Sequence, residues 1–204
     1  MNEKFFSLPW EKQWAVMNAG YRVFSRNSYR KSPMGEIAAE AGISKSLLFY
    51  YFKNKKDLYL FLWNKAADFT MDLMEQYHCY KREDLFEMMY CGMQVKLKLM
   101  KEHPFMCMFV IRAFYEKDLE VCREIAESYE KFKEFKSFDV LQKVDPNKFV
   151  EGIDLSMMWR DMYLASEGYL WEMLKCDEVD MKKIEKDFTE MIEFWKKTYL
   201  KKEI

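Results

Sequence analysis

Apolar residues recur at helical spacing along most of the chain. In the first sixty residues they predict three short helices. The first is expected to begin near Pro9 and to end at residues 26–28, with one apolar face repeating at i, i+3, i+4, i+7 and i+8. That face consists of Val16, Ala19, Gly20, Val23 and Phe24.

The starts of the second and third helices are indicated by residues that favour helix ends. Ser32-Pro33 is typical of the start of a short helix, and Gly42 suits the left-handed turn that ends it. Ser44 is a natural N-cap for the third helix.

Longer helical patterns follow from Lys55 onward. They predict helices over 55–78, 83–103, 104–115, 118–136, 145–174 and 177–202. The breaks between them are short, so we expect neighbouring helices to pack antiparallel. With six glycines, four prolines and three threonines, the composition also favours helix over sheet. The fold class is therefore predicted to be all-α.

Charge divides the chain unevenly. Residues 1–58 contain ten Lys and Arg against five Asp and Glu, whereas the remainder contains 23 against 29. A basic head on an acidic body favours contact between the head and a polyanion. Because the excess is modest, chance explains it about as well, and a sequence motif is needed to distinguish the two explanations.

That motif is a helix-turn-helix in the basic head. The second and third helices are joined by a tight Ala41-Gly42-Ile43 turn, in which Gly42 can adopt a positive φ without strain. Small Ala38 allows the two helices to cross, and Ile43 and Leu48 anchor the third helix on the core. The side chains left pointing outward are Lys45, Ser46, Phe49 and Tyr50.

Residues 16–58 resemble the TetR family of transcriptional regulators. The resemblance lies in Ala19-Gly20, Val23-Phe24, Tyr29, Ile37-Ala38, Ala41-Gly42-Ile43-Ser44 and the run Leu48-Phe49-Tyr50-Tyr51-Phe52-Lys53-Asn54-Lys55-Lys56-Asp57-Leu58. The last run is the specific part, since a bare helix-turn-helix pattern occurs in many proteins.

The resemblance implies that the third helix enters the major groove of double-stranded operator DNA. Lys55, at the start of the fourth helix, would combine its charge with the helix dipole to attract a phosphate, and Ser32 would offer its hydroxyl or N–H groups to another. The DNA-binding residues expected on this basis are Ser32, Ser44, Lys45, Ser46, Leu47, Phe49, Tyr50, Tyr51 and Lys55. Phe52, and in part Tyr51, also fit plain core packing, whereas for Tyr50 we favour DNA contact.

Three residues depart from the family pattern. Ser28 stands where Gly is frequent, Leu47 where Thr is common, and Phe49 where Tyr is common. Leu47 can contact a thymine methyl but cannot hydrogen-bond a base edge, and Phe49 lacks a hydroxyl that would reach a phosphate. Direct readout is therefore expected to depend on Lys45, which suits guanine, and on Ser46.

The last two helices each carry an apolar stripe, and the longer one is also apolar at Met157, Leu164 and Trp171. Since the resemblance implies a four-helix interface between two subunits, we expect a homodimer; burial within one subunit is the alternative. Two recognition helices would then reach successive major grooves about 34 Å apart. The expected interface residues are Leu155, Met158, Met162, Leu170, Phe188, Met191, Ile192 and Trp195.

Seventeen methionines, many near aromatic residues, fit a cavity for a bulky apolar or cationic small-molecule effector. For any single residue ordinary core packing is the simpler explanation. Arg112 could anchor an anionic ligand, although pairing with an acidic neighbour or exposure to solvent explains it as well. The candidate effector-binding residues are Met89, Met93, Phe105, Met108, Phe109, Arg112, Trp159 and Tyr163.

Several classes of protein fit the sequence poorly. Only His78 and His103 are present, neither at metal-ligand spacing, and no phosphate loop or nucleophile elbow is found, so we expect no enzyme, metal or cofactor. The five cysteines suggest buried free thiols of a reducing cytoplasm. We expect no signal peptide, because Asn2-Glu3-Lys4 leads directly into a mixed polar segment, and no apolar run reaches the length of a membrane span.

The sequence thus predicts a cytoplasmic one-component regulator, a repressor by family analogy, with a DNA-binding domain over 1–54 and a helical effector-binding and dimerisation domain over 55–204. It would bind a palindromic operator as a dimer and be released by an effector. The alternative is a DNA-binding protein of the same fold without a small-molecule switch.

Overall fold

A computed structural model of the chain describes residues 3–173 and 179–202, with side chains throughout except at 132–139. The described residues are mostly helical, as the composition predicts. The helices are α1 (Glu3–Phe6), α2 (Trp10–Arg26), α3 (Met34–Glu40), α4 (Lys45–Tyr51), α5 (Lys55–Gln76), α6 (Leu85–Glu102), α7 (Pro104–Phe114), α8 (Cys122–Leu141), α9 (Leu155–Met173) and α10 (Met181–Tyr199).

Two compact units make up the chain. The first contains residues 1–69 and 99–129, and the second contains residues 70–98 and 130–204. The helix-turn-helix therefore shares its unit with α7 and the beginning of α8. The functional boundary predicted after residue 54 stays a prediction.

Aromatic rings form the core of the first unit. The ring centre of Phe109 on α7 lies 5.5 Å from that of Tyr21 and 5.0 Å from that of Tyr59. The ring centres of Tyr59 and Phe24 are 4.8 Å apart. The two pairs that involve Tyr59 are edge-to-face, an arrangement that adds to the gain from burying large apolar surfaces. Close packing extends to Gly20, where an added Cβ would lie 2.6 Å from Leu62 Cδ1.

In the second unit, α9 and α10 pack against each other. The Tyr169 hydroxyl donates to Asp187 at 2.8 Å across this pair, and α6 is joined to α9 by an ion pair between Lys96 and Glu167. An antiparallel bridge between Phe149 and Leu200 holds the end of α10.

The helices predicted from residues 145 and 118 begin later than the sequence pattern indicated, in both cases after a short capping turn. Asp145 caps only a 3-10 turn over Pro146–Lys148, and Gly152, with φ of 78°, reverses the chain before Asp154 caps α9. Similarly, α8 begins at Cys122 because Asp118 accepts from the backbone N–H of Glu120 and forms a turn. A short capping turn resembles a helix start in sequence.

The expectation of free thiols was wrong for two cysteines. Cys79, in a 3-10 turn after α5, forms a disulfide with Cys91 of α6. Cys107 and Cys122 are free, and Cys176 lies outside the described residues. Helical spacing places Cys91 on a helix but does not reveal that the chain returns past it at Cys79.

Candidate nucleic-acid interface

The turn between α3 and α4 has the geometry that the sequence predicts. Gly42 adopts φ of 69°, and the backbone N–H of Ile43 donates to the carbonyl of Ala38 at 3.0 Å. The side chain of Ser44 accepts a hydrogen bond from the N–H of Leu47 at 3.1 Å, which confirms it as the N-cap of α4. Fully buried Leu48 anchors the helix on the core.

With Leu48 facing inward, the opposite surface of α4 lies open to solvent. Its exposed side chains are Lys45, Ser46, Leu47, Phe49 and Tyr50. The ammonium group of Lys45 lies 5.9 Å from the centre of the Phe49 ring. This exposed face of α4 is the candidate recognition surface.

Two of the predicted DNA-binding side chains face the interior instead. Tyr51 is buried, and its ring packs 5.6 Å from Phe5. Ser32 is fully buried, and its hydroxyl donates to the carbonyl of Ser28 at 3.0 Å. These two positions support the fold around the recognition surface, and a direct phosphate contact by the Ser32 hydroxyl would require it to become exposed.

At the start of α5, Asn54 accepts from the N–H of Asp57 at 2.7 Å and so caps the helix. Lys55 donates to the carbonyl of Arg30 at 3.3 Å, and its ammonium group lies 4.4 Å from the centre of the Tyr29 ring. These contacts fix the cation beside the positive end of the α5 dipole, an arrangement that attracts phosphate.

Sequence reasoning missed two cations, one beside α4 and one beside the start of α5. Lys4 of α1 lies 5.6 Å from the centre of the Tyr50 ring, and its hydrogen bond with Tyr50 raises the pKa of the lysine. Arg30 lies in the turn between α2 and α3 and forms an ion pair with Asp118. A four-residue helix is too short for a periodic pattern, and the partner of Arg30 is distant in sequence.

The residues predicted to bind an effector are divided between the two units. In the first, Phe109 belongs to the aromatic core, Phe105 lies beneath the guanidinium groups of Arg22 and Arg26, and Arg112 donates to the carbonyl of Ser25 at 2.8 Å. Met108 is half-buried on α7. In the second unit Met89, Met93 and Trp159 are buried, and Tyr163 is half-buried beside Trp159.

Most of the predicted dimer residues are buried within the single chain. Met158, Met162, Leu170, Phe188, Ile192 and Trp195 are buried, while Leu155 and Met191 are half-buried. The large apolar residues that α9 and α10 leave exposed are others, namely Met157, Leu164 and Phe194. Among the described residues, the surface open to a second chain therefore lies on the opposite side of both helices.

The described residues provide neither a metal site nor a membrane-spanning helix. No group of His, Cys, Asp and Glu among them is arranged to hold a metal ion. Within the same ranges, no helix is both long and apolar enough to cross a bilayer. The geometry of the described head is that of a helix-turn-helix protein.

The family model "Bacterial regulatory proteins, tetR family" matches residues 16–61. The chain is 29% identical over 65 residues to the fatty acid metabolism regulator protein of Bacillus subtilis (strain 168), a match that covers 32% of this chain and 34% of that protein. It is also 27% identical over 67 residues to the HTH-type transcriptional regulator AcrR of Shigella flexneri, covering 33% and 31% of the two. The matches thus span about a third of the curated relatives.

The likeness of fold extends over nearly the whole chain. The structure of NalD, described as the secondary repressor of the MexAB-OprM multidrug efflux pump in Pseudomonas aeruginosa, superposes with a TM-score of 0.72 at 15% identity, covering 95% of this chain and 98% of that one. The N-terminal segment thus matches the TetR family model over residues 16–61, and the fold of the chain is similar to that of NalD.

Proposed function

We propose that this protein is a cytoplasmic transcriptional repressor that binds a palindromic operator as a homodimer and is released by a small-molecule effector. The observation that carries the proposal is the exposed face of α4 within a TetR-type helix-turn-helix. An amphipathic helix held by a buried leucine and a serine cap can enter the major groove without rearrangement.

Different residues of the head have different tasks in this proposal. Lys45 and Ser46 hydrogen-bond base edges, and Leu47 contacts a thymine methyl group. Lys55 and the N-terminus of α5 hold a backbone phosphate. Base contacts set the preference among sequences, whereas the phosphate contact contributes to binding of any duplex.

Dimerisation through the exposed side of α9 and α10 supplies the second head. Met157, Leu164 and Trp171 follow one another at seven-residue spacing on α9, and nothing lies within 4 Å of the position that a Cβ on Gly168 of the same helix would occupy. Phe194 of α10 is 63% exposed. Large apolar side chains beside a glycine allow close approach of a second helix pair.

Release by an effector is supported by the methionine and aromatic content of the body and by the roles in the relatives' names. An apolar or cationic ligand suits thioether and aromatic side chains. Effector binding would need to weaken operator affinity by about 1–3 kcal/mol to act as a switch. The alternative, a regulator of the same fold without an effector, shares every DNA-binding feature.

The DNA-binding proposal is tested by selecting bound sequences from random duplex DNA and then measuring affinity for the selected operator and a shuffled duplex. Lys45→Ala should relax the preference among operator variants. Lys55→Ala should weaken binding to both duplexes and reduce the salt slope by about one. Lys182→Ala, an exposed lysine of α10, serves as the control for loss of charge. If neither head variant differs from this control, the assigned docking face is wrong.

The dimer and the effector need separate measurements. Sedimentation should show a dimer that Phe194→Asp converts to monomer, with a loss of operator affinity. Thermal shift with a panel of long-chain fatty acids and hydrophobic cations, followed by operator release, tests the switch. A panel that changes neither quantity would favour the alternative without an effector.

A further inference from the structure

The connection between α7 and α8, together with the first turn of α8, carries a group of carboxylates that contacts the DNA-binding head. We define it as the acidic segment, residues 116–124, with Glu116, Asp118, Glu120 and Glu124. It belongs to the same unit as the head. None of these residues belongs to the predicted DNA, effector or dimer sets.

Two of these carboxylates are paired with cations of the head. Asp118 forms an ion pair with Arg30, and Glu124 forms one with Lys56. Hydrogen bonds from these cations lower the pKa of both carboxyl groups, and the charge of Lys55 acts in the same direction on Asp118. The carboxylates are therefore charged at neutral pH.

Glu116 attaches the acidic segment to the backbone of the head. One carboxylate oxygen accepts from the N–H of Tyr29 at 2.7 Å, and the other accepts from the N–H of Lys117 at 2.9 Å. Because Tyr29 immediately precedes Arg30, this contact fixes the position of Asp118 relative to the guanidinium group. The ion pair is thus held by backbone geometry as well as by charge.

The paired cations lie where a DNA-binding head needs positive charge. Lys56 is in the first turn of α5, next to Lys55, and the Arg30 carbonyl accepts from Lys55. The side chain of Arg30 is 82% exposed, whereas that of Asp118 is 5% exposed. A phosphate could therefore reach the guanidinium group while the carboxylate stays in place beneath it.

We propose that the acidic segment competes with DNA phosphates for the cations of the head, with Asp118 and Glu124 as the residues that limit sequence-independent affinity. The inference rests on the proposed DNA-binding function. A cation already neutralised within the protein releases fewer counterions from DNA. A carboxylate within a few ångströms of a bound phosphate also repels it, because the distance is well inside the Debye length.

A purely structural role makes the opposite prediction. If the ion pairs only hold the head to α7 and α8, removing a carboxylate lowers thermal stability and weakens binding to every duplex. If they compete with phosphate, removing a carboxylate strengthens binding to every duplex and makes the affinity more sensitive to salt. Affinity and stability measured together separate the two roles.

The test compares Asp118→Asn and Glu124→Gln with Glu127→Gln. Glu127 is a matched control because it lies on α8 and pairs with Arg123 of the same helix at 2.8 Å. Fluorescence anisotropy measures binding to the selected operator and to a shuffled duplex of equal length between 50 and 300 mM KCl. Thermal unfolding is measured for every variant.

We expect each head-facing variant to bind both duplexes about 2- to 5-fold more tightly at low salt and to steepen the salt slope by about one. Glu127→Gln should change neither quantity by as much. Head-facing variants that match Glu127→Gln, or that bind both duplexes more weakly, would overturn the inference. Wild-type protein that binds neither duplex at 50 mM KCl would overturn the proposed function itself, and the inference with it.

Discussion

The two units of this chain use apolar helix faces in different ways. In the first, α4 has two buried residues, Leu48 and Tyr51, and an exposed face made largely of the side chains that the motif predicts. In the second, α9 and α10 are apolar on two sides, and the stripe with the cleaner periodicity is the one buried within the chain. A local motif specifies orientation, whereas a repeating apolar pattern specifies only that some partner exists.

The largest effect on stability is expected at Phe188 of α10, with Phe194 of the same helix as the comparison. Phe188→Ala should lower the free energy of unfolding by about 3–5 kcal/mol, because Phe188 is buried and its loss leaves a cavity. Phe194→Ala should change only the part of the stability that depends on protein concentration, since Phe194 is exposed in the single chain. Urea unfolding over a range of concentrations measures both. An equal cost at the lowest concentration would assign Phe194 to the core.

The disulfide of the second unit should contribute about 3 kcal/mol, the value expected from closing a loop of this length. Adding a reductant should therefore lower the melting temperature of the wild-type protein. The double variant Cys79→Ala with Cys91→Ala should melt at the same temperature with and without reductant. If the reductant also leaves the melting temperature of the wild-type protein unchanged, the two thiols are not linked.

Gly20 in the first unit and Gly168 in the second allow the packing density of the two units to be compared. Gly20→Ala in the first unit should cost about 1–3 kcal/mol, because the new methyl group would overlap Leu62. Gly168→Ala in the second unit should stabilise α9 by up to about 1 kcal/mol at protein concentrations where the chain is monomeric, since in the single chain nothing lies within 4 Å of the added Cβ. Thermal unfolding measures the change in stability for both variants. If Gly168→Ala destabilises the protein to an extent that depends on protein concentration, Gly168 lies inside the dimer contact.

A smaller effect is expected at the start of α4. Ser44→Ala should cost about 1 kcal/mol, because the N–H of Leu47 loses its acceptor. Ser46→Ala, at an exposed position two residues later, should leave stability nearly unchanged and affect only DNA binding. Hydrogen exchange of the Leu47 amide reports the loss of the cap directly. Equal costs for both variants would argue against Ser44 as the cap.

Much of the head could be predicted because its signals are local. The left-handed Gly42, the Ser44 cap and the buried Leu48 all lie within seven residues of one another. Each is recognisable from residue type alone. Their spacing then determines which side chains of α4 are exposed.

The features that could not be predicted depend on contacts between distant residues. Asp118 and Arg30 are 88 positions apart, and the partner of Lys56 is 68 positions away. The burial of Met162 rather than Met157 depends on which side of α9 meets α10. Sequence periodicity contains no information on that choice when both sides are apolar.

The position of Phe109 among the rings of Tyr21, Phe24 and Tyr59 has a practical consequence for protein engineering. A fragment cut after residue 54 would lose both Tyr59 and Phe109 and would expose the remaining rings to water. Chimeric regulators that exchange heads should therefore transplant α7 together with the first four helices and the beginning of α5. A graft confined to the helix-turn-helix would leave two unmatched surfaces where one aromatic core had been.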